Sequence, residues 1–467
     1  MGGLFGVISK NDCVNDLFFG TDYHSHLGTK RGGLAVKNDD GFIRFIHNIE
    51  NAQFRSKFET DLDNLYGNMG IGVISDYDDQ PLLIRSHLGN YAIVTVGLIQ
   101  NADELVKNAF KQKKIHFSEM GGGAVNPTEL VSTLINQEST FSDGIQNAQN
   151  AIQGSCSLLI LTENGVYASR DKLGRTPVVI GEKEGSFAAT LETCAFPNLE
   201  YKISKYLGPG EIVFLTNEGI EQIKLPEEKL QICGFLWVYY GYPASNYEGI
   251  NVESVRNRCG AKLAQRDTIK VDFVAGIPDS GIGHGLGYAS ESDIPFKRPF
   301  VKYTPTWPRS FMPQDQSVRD LVAKMKLIPI REFIEGKRVL FCEDSIVRGT
   351  QLKDTIQRLY EAGATEVHMR PACPPLVYAC KFLNFSRSKS ELDLAARKAI
   401  SELEGDHIKD LSEYAREDTE KYQAMVERIR LRLNLTTLNY QRLDDLVEAI
   451  GLPKERLCTY CWDGAEI

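Results

Sequence analysis

Two adjacent acids and a loop of small residues form the stretch Val339-Leu340-Phe341-Cys342-Glu343-Asp344-Ser345-Ile346-Val347-Arg348-Gly349-Thr350. Four apolar residues predict a short buried strand, and Glu343 and Asp344 stand where it ends. Ser345, Gly349 and Thr350 lead into a helical run from residue 351 to about 362, and Gly363 is its natural stop. Backbone N–H groups in such a loop, at the positive end of a helix, hold a phosphate. Paired acids grip vicinal hydroxyls or a hard cation. A sugar phosphate with a pyrophosphate leaving group needs both elements. The bland reading is an ordinary strand–helix turn with two solvated acids. Two further patterns carry chemistry only in context. Pro278-Asp279-Ser280-Gly281 follows an apolar run and by itself is more often a turn than a site. Cys458-Thr459-Tyr460-Cys461 by itself leaves redox, zinc and iron–sulfur roles open.

The elements that must position these residues fall into two halves. Residues 1–230 are rich in short alternating strands, such as 69–75, 91–96 and 157–161, with helices over 102–111 and 128–137. Many strands and few helices predict stacked antiparallel sheets. Residues 231–467 change to strand–helix alternation, with core strands over 271–277 and 339–342. A segment of about 386–432 is dense in Glu, Lys, Arg and Ala. Its apolar positions Leu394, Ile400, Leu403, Ile408 and Leu411 recur at helical spacing, which predicts one or two surface helices with a solvated charged face.

Composition narrows the function classes. A chain of 467 residues can bury a sizeable core. A formal net charge of −9 and the lack of a basic tract argue against general nucleic-acid binding. No apolar run approaches a membrane span, and the start lacks a charged leader. Ten cysteines are too sparse for a disulfide scaffold, so a cytoplasmic setting is expected.

The Glu343–Thr350 stretch resembles the phosphoribosyl-pyrophosphate signature of type I phosphoribosyltransferases, and its Asp344–Thr350 wording is most similar to the amidophosphoribosyltransferase family. That family usually has two Asp where this chain has Glu343 and Asp344. Arg170-Asp171-Lys172-Leu173-Gly174-Arg175-Thr176-Pro177, Glu192-Thr193-Cys194-Ala195 and Pro209-Gly210-Glu211 resemble markers of the amide-hydrolysing half. The resemblance implies a fold of mixed α/β and α+β class. A four-layer αββα glutaminase-like domain of the N-terminal-nucleophile type occupies 1–230. A type I phosphoribosyltransferase domain with a helical insertion and a C-terminal cluster-binding tail occupies 231–467.

It also implies a site. Asp279, Ser280 and Gly281 would form the pyrophosphate loop, with Lys302 contacting pyrophosphate. Ser280, Glu343 and Asp344 would surround Mg²⁺. Ser345, Ile346, Val347, Arg348, Gly349 and Thr350 would take the 5-phosphate. The family's closing loop corresponds to Tyr303-Thr304-Pro305-Thr306-Trp307-Pro308-Arg309-Ser310-Phe311, which two prolines stiffen. Arg319, Lys324, Lys326 and Leu327 return to the family pattern. The iron–sulfur-bearing branch has four cluster ligands, whose positions match Cys233, Cys380, Cys458 and Cys461; a [4Fe–4S] cluster is expected, with zinc as the alternative. Cys156, Cys194, Cys259, Cys342 and Cys373 read as core residues.

The glutamine-handling half departs from the family. The nucleophile position, a Cys in the family, holds Gly2, and Cys13 cannot replace it without removal of the strand that carries the motif. Lys30-Arg31-Gly32 keeps an Arg. Ser75-Asp76-Tyr77-Asp78 loses the Arg that binds the glutamine carboxylate. Val96-Gly97 replaces the oxyanion Asn-Gly pair, and Pro127 replaces the acid that holds the substrate ammonium.

The expected activity is transfer of an amino group, from free or partner-delivered ammonia, to C1 of 5-phosphoribosyl-1-pyrophosphate, giving 5-phosphoribosylamine for purine synthesis. Two alternatives stay open: a non-catalytic regulator or assembly partner that binds phosphoribosyl pyrophosphate or nucleotides, and a phosphoribosyltransferase with another nucleophile. A homo-oligomer is implied by the resemblance.

Overall fold

Strand Gly3–Ser9 is buried along its whole length because both of its faces are covered. Alternate side chains point to opposite faces of a strand. Leu4 and Ile8 therefore enter one core with Ala92, Val94 and Leu159, while Phe5 and Val7 enter another with Leu17 and Phe18. The structure is a computed structural model that describes residues 2–76, 78–111, 116–118, 120–121, 124–303, 327–383, 391–405, 408 and 410–466.

Gly3–Ser9 lies inside a seven-stranded antiparallel sheet, between Ser186–Thr190 and Met69–Ser75. A six-stranded antiparallel sheet, centred on Gly154–Leu161 and Gly89–Ile99, stacks on it. Helices Val14–Asp22 and Phe54–Phe58 cover the first sheet, and Pro127–Ile135 and Phe141–Ala151 cover the second. This is the four-layer αββα arrangement.

The second half is built on four parallel strands in the order Phe273–Gly276, Arg338–Glu343, Glu366–Pro371 and Thr437–Leu438. Val339 and Phe341 face helices Thr350–Glu361, Ala395–Glu404 and Glu420–Leu433; Leu340 and Cys342 face Val252–Gln265 and Gly281–Ser292. Burial on both faces explains the unbroken apolar run. Helices do form in the charged segment, and surface pairs such as Arg432–Glu402 and Lys421–Glu404 mark its solvated face. Its opposite face belongs to the core: Leu394, Ile400 and Leu411 are buried, as are Ala399, Met425 and Ile429, whereas Leu403 is exposed.

The halves are pinned by buried polar contacts. Glu192 accepts hydrogen bonds from the hydroxyls of Tyr247, at 2.5 Å, and Ser245. Fully buried Arg170 pairs with Glu248 at 2.8 Å. Both are residues of the motifs singled out in the sequence, and here they hold the segment that enters the second half. Among the described residues no helix is long and apolar enough to cross a membrane.

Candidate functional site

Strands Phe273–Gly276 and Arg338–Glu343 run parallel in the register Gly276 to Cys342. Their following loops therefore leave the same edge of the sheet, where open α/β sheets bind ligands. The first loop is Ile277 to Ser280, with a cis peptide between Pro278 and Asp279. Ile277 N–H donates to Cys342 O at 3.0 Å and ties this loop to the neighbouring strand. Gly281 opens helix Gly281–Ser292, and a Cβ there would lie 2.5 Å from Cys342 O. The pyrophosphate-loop candidate and the acidic strand end thus meet through a position with no room for a side chain. Gly281→Ala is expected to displace this loop and lower transferase turnover by about 10²-fold while circular dichroism is unchanged. Steady-state pyrophosphate release checks this.

The structure brings the other transferase candidates to the same edge. Glu343 and Asp344 are both buried. Burial, reinforced by the Asp344 charge, holds the Glu343 carboxyl well above the usual carboxylate range. Ser345 Oγ donates to Asp344 Oδ1 at 2.5 Å. Two adjacent carboxyls out of water repel when ionised, and a hard divalent cation relieves that repulsion. The hard oxygen donors Glu343, Asp344 and Ser280 fit Mg²⁺. Among the described residues no three His, Cys, Asp or Glu side chains gather around one point. Mg²⁺ commonly takes one or two carboxylates and completes its shell with substrate phosphates and water. Lys302 ends strand Phe300–Lys302, and its Nζ lies 2.6 Å from Asp279 Oδ2 on an exposed surface. Of the closing-loop candidates, residues 304–326 lie outside the described residues, including Arg319, Lys324 and Lys326.

The phosphate-loop candidate is shaped by its neighbours. Ile346 is buried, Arg348 and Thr350 are exposed, and Gly349 adopts φ +75° just before helix Thr350–Glu361. Left-handed backbone favours glycine here. The first N–H groups of that helix face the loop end and suit an anion. The loop is braced by the charged segment: Ala395 N–H donates to Val347 O at 2.7 Å, and Leu433 stands 3.4 Å from the Cβ direction of Gly349. Nothing in the residue pattern of that segment connects it with a site. A run of small residues, Ala395, Ala396 and Ala399, on its apolar stripe was the available signal.

Arg256 was also missed. It falls on the buried face of helix Val252–Gln265, among Val252, Val255 and Cys259. Its guanidinium donates to the carbonyls of Trp237, Tyr239 and Gly241 at 2.9–3.2 Å. Burial lowers its pKa, and Asp344 is the first charge that opposes the fall. It is a fixed cation within electrostatic reach of the acidic pair. A separate cavity of about 280 Å³ opens between Leu263 and Tyr422, and none of the candidate site residues lines it.

In the first half, Gly2 and Val96 come together. A Cβ on Gly2 would lie 2.6 Å from Ile74 O and 3.3 Å from Val96 Cγ1. Both residues are buried. Arg31 Nε is held by Asp79 Oδ1 at 2.8 Å. Asp76 Oδ1 accepts from Thr29 N–H at 2.8 Å. Pro127 is the first residue of helix Pro127–Ile135, and the Asn126 side chain caps it through Thr128 N–H. Tyr77 lies outside the described residues. Each described position has a local structural role.

His24 lies behind this pocket, fully buried. Its Nδ1 is 2.8 Å from Gly20 O and donates to it. Its Nε2 accepts from Glu192 N–H at 3.2 Å and lies 3.0 Å from Thr190 Oγ1. Burial is the largest cause that lowers its pKa to about 4. The folded state therefore binds this proton less tightly than the unfolded state. The resulting stability is present above about pH 6.5 and is lost as pH falls toward 4, by about 3 kcal/mol. Urea unfolding at pH 7 and pH 4.5 is expected to show this loss, and His24→Gln is expected to flatten it.

The four candidate ligand cysteines are drawn from three parts of the chain. Strands Ile232–Cys233 and Leu457–Cys458 pair in parallel, with Cys233 opposite Cys458. Val377 and Tyr378 N–H both donate to Cys461 O at 3.1 Å, which brings the Cys380 segment alongside. Cys233 and Cys461 are buried, and Cys380 and Cys458 are half-buried. Burial raises the Cys461 thiol well above its ordinary range, with further rises from Cys233, Cys380 and Cys458. The four sulfurs thus share one low-dielectric neighbourhood in which ionised thiols need a positive partner. The donor set fits an iron–sulfur cluster. Cys156, Cys194, Cys259, Cys342 and Cys373 are buried, and Cys259 and Cys373 share one apolar cluster with Cys233 and Cys461.

A four-layer αββα half joined to a parallel-sheet half with paired loops defines a glutamine amidotransferase-type domain coupled to a phosphoribosyltransferase domain. A glutamine amidotransferase domain family model matches residues 68–196. The chain is 30% identical to the amidophosphoribosyltransferase of Methanocaldococcus jannaschii, over 99% of this chain and 97% of that protein. It is 32% identical to the chloroplastic amidophosphoribosyltransferase of Glycine max, over 81% of this chain and 67% of that protein. A solved glutamine phosphoribosylpyrophosphate amidotransferase from B. subtilis, complexed with ADP and GMP, superposes with a TM-score of 0.84 at 27% identity, covering 99% of this chain and 96% of that one. The chain belongs to the amidophosphoribosyltransferase family.

Proposed function

We propose that the protein binds 5-phosphoribosyl-1-pyrophosphate at the edge shared by residues 277–281 and 343–350 and transfers an amino group from ammonia to C1, releasing pyrophosphate. The observation that carries this reading is the buried Glu343–Asp344 pair set beside the Gly281 loop at the ends of two parallel strands. Mg²⁺, held by Glu343, Asp344 and Ser280, would neutralise charge on the leaving pyrophosphate. The N–H groups of Gly349 and Thr350 would hold the 5-phosphate, and Lys302 would exchange Asp279 for pyrophosphate oxygen. Ammonia attacks C1 as the bond from C1 to the pyrophosphate oxygen breaks. The electron pair of that bond leaves with pyrophosphate, and a proton leaves the new amine. The product is 5-phosphoribosylamine, an entry compound of purine synthesis.

The glutaminase half is read as inactive, on the support of Gly2 beside Val96, Arg31 held by Asp79, and Pro127 at a helix start. Ammonia would then come from solution or from a partner. Cys233, Cys380, Cys458 and Cys461 would hold a [4Fe–4S] cluster that fastens the C-terminal tail, with zinc as the alternative. Gly2 beside Val96 and Arg31 bonded to Asp79 also favour a second reading, a regulator that binds the sugar phosphate without turning it over.

Pyrophosphate release by anaerobically purified protein, with ammonium or glutamine as nitrogen source, tests these readings. Release with ammonium alone is expected. Binding without release would establish the regulator, and release only with another amine or base would point to a different nucleophile.

A further inference from the structure

The cavity of about 280 Å³ beside Leu263 is formed where the charged segment folds back on the parallel sheet, between helices Val252–Gln265 and Glu420–Leu433. Its wall combines apolar side chains, Leu263, Val426 and Leu438, with the rings of Tyr422 and Tyr440, which are 8% and 6% exposed. The Tyr440 hydroxyl is buried and has no hydrogen-bond partner among the described residues. Burial pushes its pKa well up, so it stays a neutral donor. A buried hydroxyl left unpaired costs stability, and a bound molecule that accepts from it removes that cost.

The charged groups of the wall are already matched. Arg370, 2% exposed, is held by Asp267 at 2.5 Å. Arg266 is held by Asp445 at 2.9 Å and stands 3.8 Å from Glu417. An anionic ligand would find both guanidinium groups committed and would meet the carboxylates of Asp267, Glu417 and Asp418. A cationic ligand would meet the two guanidinium groups. What the wall offers is apolar surface, two rings and neutral polar groups, the Tyr440 hydroxyl and the Gln423 and Asn439 amides. Aromatic walls with a few polar groups suit a flat molecule, and a volume at the small end for ligand sites limits it to one or two rings. We infer that this cavity is a ligand site separate from the transferase edge, and that it takes a neutral, planar heteroaromatic molecule of nucleobase size whose polar edge accepts from Tyr440. The inference does not rest on the function proposed above.

Equilibrium dialysis of the full chain against adenine, uracil and nicotinamide tests this, with benzamidine and benzoate as planar cationic and anionic probes. At least one of the neutral molecules is expected to bind once per chain with Kd on the order of 10⁻⁴ M or tighter. Both charged probes are expected to bind at least about tenfold more weakly. Tyr440→Phe is expected to weaken the neutral probe about fivefold, while the ligand-free protein unfolds at the same or a higher temperature, because an unpaired buried hydroxyl is gone. Gln423 is exposed on the wall helix, so Gln423→Trp is expected to fill the mouth and abolish binding with circular dichroism unchanged. Binding of none of the three neutral probes would overturn the proposal, as would tighter binding of benzamidine or benzoate. Neutral binding that Tyr440→Phe and Gln423→Trp both leave unmoved would lie elsewhere on the protein and would overturn it as well.

Discussion

Glutamine supplied to the wild-type protein is expected to be hydrolysed at least about 10⁴-fold more slowly than by a thiol-bearing relative, because loss of the nucleophile removes an effect of that order. Gly2 has no side-chain atom that can attack an amide. The further expectation is that Gly2→Cys alone does not restore hydrolysis. A Cβ at position 2 would meet Ile74 O at 2.6 Å and Val96 Cγ1 at 3.3 Å, so the strand would have to shift before a thiol could point into the pocket. Val96 offers no donor to a developing oxyanion, and a missing donor lowers rate by about 10²–10³-fold. Arg31 would also have to leave Asp79, to which it is bonded at 2.8 Å. Glutamate release measured for wild type and Gly2→Cys decides the matter. Rapid hydrolysis by wild type would remove the case for an inactive half. Rescue by the single substitution would show that Val96 and Asp79 do not block the site.

Asp344→Asn is expected to reduce ammonium-dependent pyrophosphate release by on the order of 10³-fold, the scale of one well-placed electrostatic contact to a leaving group. The substitution preserves shape and removes one of two adjacent buried acids. Burial raises the Glu343 carboxyl more than the Asp344 charge does, so that carboxyl stays high in the variant, but its like-charge neighbour is gone. The folded protein without Mg²⁺ should therefore be at least as stable as wild type. The gain on ligand binding should disappear. Wild type is expected to gain about 2.7 kcal/mol with Mg²⁺ and phosphoribosyl pyrophosphate at 100 times Kd, and the variant almost nothing. Thermal unfolding with and without ligand separates a lost site from a damaged fold. Undiminished turnover in Asp344→Asn would remove the acidic pair from the mechanism.

Residues 339–342 were legible as a buried strand because packing on both faces demands an unbroken apolar run, and the structure extends that strand to Arg338–Glu343. Residues 69–75 were legible as a short alternating strand and form Met69–Ser75. The acidic pair and the small-residue loop were legible because strand, loop and helix follow one another directly in the chain. The contact between Gly2 and Val96 was not, because the two residues come from facing sheets and their separation depends on how those sheets stack. The role of the charged segment was only half legible. Its helical period gave the solvated face, but the hydrogen bond from Ala395 to Val347 depends on which element its apolar stripe meets.

By itself, the sequence determined the local pattern: a loop of small residues after an acidic strand end, and two sets of alternating elements. These are short-range properties, set by residue order, side-chain period and backbone preference. Tertiary structure decided what those groups face. It placed Arg256 within reach of Asp344, Arg175 beside Cys233 and Phe382, and Val96 against Gly2. Such pairings join residues from separate layers or separate halves. Their energies come from burial and from fields that act through space, so only the packed fold selects them.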